Sequence, residues 1–163
     1  MTMTAEELTI RRFCPSDLGA VYALVCETID TSYVAVYPPR AIDFFHDYHE
    51  REIVVSDAAR GHTLVVFSGG ALVATGTRVE TNVRRVFVRA DRQWRGIGKK
   101  VMAELEAEAL AAGIARLDLS ASLPAKDFYV HLGYEILSEE EEEVAPGQHL
   151  EYYEMAKQLA ASD

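Results

Sequence analysis

Gln93, Gly96 and Gly98 are spaced as an anion-binding loop would space them. The residues before them, Val83-Arg84-Arg85-Val86-Phe87-Val88, are rich in β-branched and aromatic types and predict a strand. Residues 99–112 are rich in Ala, Glu, Leu and Lys and place Met102, Leu105, Ala109 and Ala112 at helical spacing. Gly113 follows, where helices commonly end on a left-handed residue. A strand, a glycine-bearing loop and a helix in that order suit a phosphate. The first N–H groups of a helix lack internal partners, and that end carries partial positive charge. Glycine lets the backbone approach the anion closely, and Arg92, Arg95, Lys99 and Lys100 add charge beside it.

Three phosphate-binding patterns compete for this stretch. A P-loop needs a hydroxyl after Gly-Lys, but Lys100 follows Gly98-Lys99. A dinucleotide fingerprint needs a third glycine where Val101 stands, although Asp118 lies at a suitable distance to hold a ribose. The third pattern, Arg/Gln-x-x-Gly-x-Gly/Ala, is met in full by residues 93–98. A second motif lies downstream, Ala125-x-x-Phe128-Tyr129-x-x-x-Gly133-Tyr134.

Together with Val88, these two motifs resemble the GNAT N-acetyltransferase superfamily, the first being similar to its coenzyme-A pyrophosphate loop. Tyr134 stands where the family usually has Phe. The resemblance implies acetyl transfer from acetyl-coenzyme A to an amine, with coenzyme contacts from Phe87, Val88, Gln93, Trp94, Arg95, Gly96, Ile97, Gly98, Lys99 and Tyr129. It implies three roles. The backbone N–H of Val88 stabilises the thioester oxygen as it becomes anionic. The loop amides hold the pyrophosphate. Tyr129 serves the leaving thiolate. A thiol of pKa ~8.5 against a phenol of ~10 makes complete proton transfer uphill by roughly 2 kcal/mol, so Tyr129 acts more as a hydrogen-bond donor than as a full acid.

The acceptor ammonium, with pKa ~10.4, must also lose a proton, at a cost of roughly 4–5 kcal/mol near neutral pH. Where many relatives carry a Glu near the start of the central strand, this chain has Asn82, which is not a base. Glu80 is the first alternative; His149 and a water chain are the others. Two further departures from the pattern are Ser122 for a frequent Asn and Ala90 for a Pro. Tyr33 and Tyr37 are expected, with His149, on the acceptor side. Trp94 either covers the coenzyme or is exposed. Arg116 and Asp118 are expected to be structural. His46 and His49, three apart beside Glu50, show no third metal ligand and read as surface or half-buried residues, so no metal is expected. Cys26 reads as core packing.

These groups need a scaffold. Residues 8–12, 63–67, 71–79, 83–88, 115–119, 133–137 and 149–155 predict strands. Helices are predicted from Pro15, where Leu18, Val21, Val25 and Ile29 share a face, over 40–50, over 99–112 and over 124–132. The order β-α-α-β-β-β-α-β-α-β-β is that of the resembled family and predicts an α/β (α+β) domain over 1–163. Its expected form is a mixed, mostly antiparallel sheet of about seven strands, splayed at the centre and flanked by about four helices. A tail is expected over 156–163.

With 163 residues, 49% apolar and 26% charged, the chain can bury a core. A net charge of −10 argues against a nucleic-acid partner and could steer a cationic substrate, though solubility is the simpler reading. Glu139 to Glu143 read as a solvated strand edge or loop. No apolar run reaches the ~20 residues of a membrane helix. An acidic start without an apolar stretch and two cysteines point to a cytoplasmic protein. The expected partner is a small-molecule or peptide amine, with a homodimer possible in the resembled family. A non-catalytic acyl-coenzyme-A-binding module is the rival reading, because Asn82 replaces the usual base.

Overall fold

The computed structural model describes residues 7–160. The acidic start was read over 1–7, of which 1–6 lie outside the described residues, as do 161–163. Seven strands form one sheet in the order β1-β2-β3-β4-β5-β7-β6. They are β1 (Leu8–Arg12), β2 (His62–Ser68), β3 (Ala71–Val79), β4 (Asn82–Val88), β5 (Arg116–Ser122), β6 (Glu135–Ala145) and β7 (Gln148–Gln158). All neighbours are antiparallel except β4 and β5, which are parallel. The helices are α1 (Leu18–Thr28), α2 (Pro39–Tyr48), α3 (Arg51–Arg60), α4 (Ile97–Ala111) and α5 (Lys126–His131). No described helix is long and apolar enough to cross a membrane.

The expected mixed, centrally splayed sheet is present, with five α-helices among the described residues rather than about four. α3 has no counterpart in the sequence reading. The chain leaves α2 at His49, is extended at Glu50 (ψ 155°), and re-enters a helix at Arg51. Gly61 ends α3 against the sheet, where a Cβ would lie 2.0 Å from the carbonyl oxygen of Arg78. The expected tail is also corrected: residues 156–158 continue β7, where Ala156 pairs with Asp118 and with Glu135. The glutamate run lies inside β6, exposed on the outer edge of the sheet.

Strand alternation divides the core into two layers. On one face, α4 packs Val101, Met102, Leu105 and Ala109 against Leu64, Val66, Ala74, Leu117 and Leu119. On the other, Val21, Leu24, Val25 and Val54 meet Val65 and Phe87.

β4 breaks that alternation. Val83 lies in the α4 layer, yet Phe87, four residues on, lies in the other. The cause is a bulge: the register passes from Thr77↔Arg84 to Thr75↔Phe87, so Arg85 and Val86 together oppose Gly76. Arg85 takes a left-handed conformation there, φ 56°. Gly76 is required for packing as well, since a Cβ on it would lie 2.6 Å from Val101 Cγ1 and 3.2 Å from Leu105 Cδ1. Gly76→Ala should therefore destabilise the fold by about 1–3 kcal/mol. Gly19→Ala, in α1 with nothing within 4 Å, should stabilise it slightly, by up to ~1 kcal/mol. Thermal unfolding of the two variants checks the contrast; an unchanged midpoint for Gly76→Ala would contradict the close packing of α4.

Candidate acyl-transfer site

Only Asn82↔Asp118 and Val83↔Leu119 join β4 to β5. The rest of β4 faces a gap. Successive N–H groups of a strand point to opposite neighbours. The Arg89 N–H donates to Val73 on β3 at 2.8 Å, so the Val88 N–H points the other way, into the gap. The side chain of Gln93 donates to the Val88 carbonyl at 3.1 Å and ties the loop to the strand.

The loop then turns on two left-handed residues, Trp94 (φ 67°) and Gly96 (φ 80°). Gly96 precedes α4, and the first backbone bond into the helix runs from the Lys100 N–H to the Gly96 carbonyl. The N–H groups of Ile97, Gly98 and Lys99 therefore lead the helix without intrahelical acceptors. Gly98 serves packing too: a Cβ there would lie 3.0 Å from the Phe128 ring and 3.5 Å from Val88. Arg95 and Lys99 are exposed. Trp94 is fully exposed, at 100%. Backbone donors, a left-handed glycine and flanking cations fit a pyrophosphate at this end of the gap. Asp118, to which a dinucleotide reading gave a ribose role, braces the strand junction, accepting from Thr81 at 2.7 Å and from Asn82 at 2.9 Å.

Tyr129 on α5 is 7% exposed, with its ring among Phe128, Tyr134 and the α4 layer. Burial, and then the neighbouring Tyr33 phenol, hold its hydroxyl well above the ordinary tyrosine range. That hydroxyl bonds no described residue, which leaves it able to donate. The Tyr33 ring meets those of Tyr37 and Phe87 at a tilt and that of Phe45 edge-on. Burial raises the Tyr33 phenol as well, eased by the nearby Ser122 hydroxyl, which makes no hydrogen bond within ordinary limits to any described residue.

The other expected site residues go elsewhere. The Tyr37 hydroxyl donates to the Glu151 carbonyl and accepts from the Leu123 N–H, both at 2.8 Å, so Tyr37 pins its segment to β7 and to the start of α5. Glu80 occupies the exposed β3–β4 turn with φ 53°, while His149 is exposed on β7 and paired with Glu141 at 2.7 Å. Neither lines the cavity beside β4.

That cavity, of about 230 Å³, opens between β4 and β5 and is walled by α2, β6 and β7. Phe44, Phe45, Tyr48, Phe87, Leu150 and Tyr152 give it an apolar lining; Asn82, Arg84, Arg85, His49 and Glu142 are polar groups in it. Glu142, hidden to sequence reading inside an acidic run, is the only carboxylate among the described residues on its wall and accepts from the Tyr152 hydroxyl at 3.3 Å.

His46 and His49 part company. His46 pairs with Asp30 at 2.8 Å, whereas His49 is buried, 5% exposed, rather than at the surface. Its Nδ1 accepts from Arg85 Nε at 3.1 Å. Burial, and secondarily the Arg85 charge, push the imidazole down to about 3. Among the described residues no three His, Cys, Asp or Glu side chains gather as a metal site.

Residues 32–159 match the family model described as an acetyltransferase (GNAT) domain. No curated protein sequence matches the chain. A GCN5-related N-acetyltransferase from Rhodopseudomonas palustris is similar in structure, with TM-score 0.83 and 20% identity over 97% of this chain and 98% of that one. PaiA N-acetyltransferase from Thermoplasma acidophilum, solved with coenzyme A, gives 0.73 and 17% over 93% and 99%. A ribosomal-protein alanine N-acetyltransferase from Escherichia coli gives 0.73 and 17% over 96% and 97%. At these identities the likeness shows the fold.

The buried imidazole has a measurable signature. A fold that keeps His49 neutral gains stability that is complete above the unfolded value of ~6.5 and is lost as pH falls toward about 3. The thermal midpoint of the wild type should therefore drop more between pH ~7 and ~4 than that of His49→Gln. Parallel curves would show that His49 does not carry this dependence.

Proposed function

The chain belongs to the GNAT acetyltransferase family, and from that premise we propose that it moves the acetyl group of acetyl-coenzyme A directly onto a primary amine. The observation that carries the reading is the open edge of β4, with the Val88 N–H facing the gap and the leading amides of α4 at one end of it. Coenzyme A in the Thermoplasma acidophilum structure and the alanine acceptor in the name of the Escherichia coli enzyme support it.

The residues divide the work as follows. Gln93 to Lys99 hold the pyrophosphate through backbone donors, with Arg95 and Lys99 supplying charge. Val88 donates its N–H to the thioester oxygen as that oxygen gains charge. The amine forms the new C–N bond while the C–S bond breaks. Tyr129, its phenol kept protonated by burial, donates a hydrogen bond to the departing sulfur. Complete proton transfer from Tyr129 is harder still than for an unperturbed tyrosine, so solvent protonates the thiolate. Glu142, the carboxylate on the cavity wall, receives the amine's proton through water and returns it to bulk. The acceptor lies in the cavity against Phe87 and Tyr48, with Tyr33 and Tyr37 supporting that wall from behind. Free Cys14 and Cys26 fit the reducing cytoplasm.

One observation favours the rival, a coenzyme-binding module without transfer. Asn82 is locked between Asp118 and Arg84 and offers no base where many relatives have one. Thiol release from acetyl-coenzyme A across an amine panel, beside calorimetric binding of coenzyme A, separates the two. Transfer predicts binding and release; binding with no release on any amine selects the module, and absence of binding removes both. Tyr129→Phe should bind coenzyme A normally and lower turnover by ~10²-fold. Undiminished turnover at saturating substrates would remove Tyr129 from the chemistry.

A further inference from the structure

Arg85 is the most unusual charge in the molecule. It lines the acceptor cavity but is only 4% exposed, held at the β4 bulge with a left-handed backbone. Residues kept in such conformations cluster at functional sites. Two of its three nitrogens are engaged: Nε donates to His49 Nδ1 at 3.1 Å, and Nη2 donates to Asp57 Oδ2 at 3.0 Å. Nη1 is buried and has no hydrogen-bond partner among the described residues.

Its charge is poorly balanced as well. Asp57, 2% exposed, is the only carboxylate paired with Arg85 among the described residues, and it is shared. Arg84 approaches it at 3.4 Å and Arg60 at 3.9 Å. Three guanidinium groups thus lean on one carboxylate, beside a cavity in a chain of net charge −10. A buried, unmatched cation with an idle donor costs stability unless an anion completes it. His49 adds to the demand. With Nδ1 accepting from Arg85, the neutral ring carries its proton on Nε2, which bonds no described residue and so offers a second donor.

Resting on the transfer reading, we propose that the acceptor is an amine that also carries a carboxylate, which Arg85 Nη1 receives with help from His49 Nε2–H. A planar carboxylate matches the guanidinium edge. The cavity's volume of about 230 Å³ and the rings of Phe44, Phe45 and Tyr48 suit a single amino acid with an apolar body. Its ammonium end turns toward the thioester and its carboxylate toward the bulge.

The test compares phenylalanine, phenylalaninamide and phenethylamine as acceptors of the wild-type enzyme, by kcat/KM for thiol release. In parallel, N-acetylphenylalanine and its amide are titrated calorimetrically into the coenzyme-A-saturated protein. The carboxylate-bearing ligand should be preferred by about 10-fold to 100-fold in each comparison. Arg85→Lys, checked for folding by its coenzyme-A affinity, should lose most of that preference while still binding coenzyme A. Equal or better use of the neutral ligands, or equal binding of the acetylated pair, overturns the proposal whether or not the variant folds. If thiol release is absent with every amine but the acetylated carboxylate still binds preferentially, the transfer reading fails and the carboxylate site stands.

Discussion

Two residue pairs, Asn82↔Asp118 and Val83↔Leu119, hold the two halves of the sheet together, and everything chemical in this protein follows from how short that contact is. Antiparallel ladders on either side bond nearly every strand residue, so the sheet is rigid up to β4 on one flank and from β5 on the other. Between them the strands part. The parting exposes main-chain donors of β4 that a continuous sheet would consume, and it makes room for a cavity. The contact is braced where it is made: Asp118 accepts from both Thr81 and Asn82, and Asn82 in turn accepts from Arg84. Asn82, read from the sequence mainly as a missing base, is a clamp at the root of the gap.

The bulge in β4 supplies the second constraint. By adding one residue opposite Gly76, it lets a single strand serve both layers, with Val86 and Val88 packed toward α4 and Phe87 and Arg85 turned to the opposite face. A regular strand would place Val83, Arg85 and Phe87 together on one side. The guanidinium would then lie apart from Asp57 and His49, and the cavity beside β4 would lose its positive wall. Steering by the acidic surface and recognition inside the cavity thus have opposite signs. The proposed zwitterionic acceptor would satisfy both, its ammonium answering the outer field and its carboxylate the inner one.

What could be read from residue order was whatever is encoded locally. The loop at Gln93 to Gly98 combines turn, helix start and cations within a few residues, and the structure forms it as expected, with Gly96 left-handed. Tyr129 came from a short motif, and the structure buries its ring against the α4 layer. The seven strands were legible from alternation and turn residues, although β6 and β7 run longer than expected because each borrows regularity from the other along a hairpin. α3 escaped because no proline or glycine separates it from α2; the break is a backbone turn in which His49 and Glu50 leave the helical region. Arg85, Asp57 and His49 escaped for a deeper reason. They are 28 and 36 residues apart in sequence and meet only because the bulge and α3 bring them together. Tyr37 shows the reverse case, an aromatic of the right type in the right segment whose hydroxyl is consumed by Leu123 and Glu151.

The outer strand β6 carries Glu139 to Glu143 in succession, so carboxylates project from both faces of an edge whose main-chain groups have no further strand to bond. Ile136 and Leu137 stand exposed beside them, at 45% and 56%. Such a rim is a template for accretion of other chains, and mutual repulsion among dense negative charge is what keeps copies from docking side by side. The protein's colloidal behaviour is therefore tied to acidity: once those carboxylates are neutralised, the same rim would seed sheet-to-sheet polymerisation, and the cavity wall would lose the charge of Glu142 in the same step.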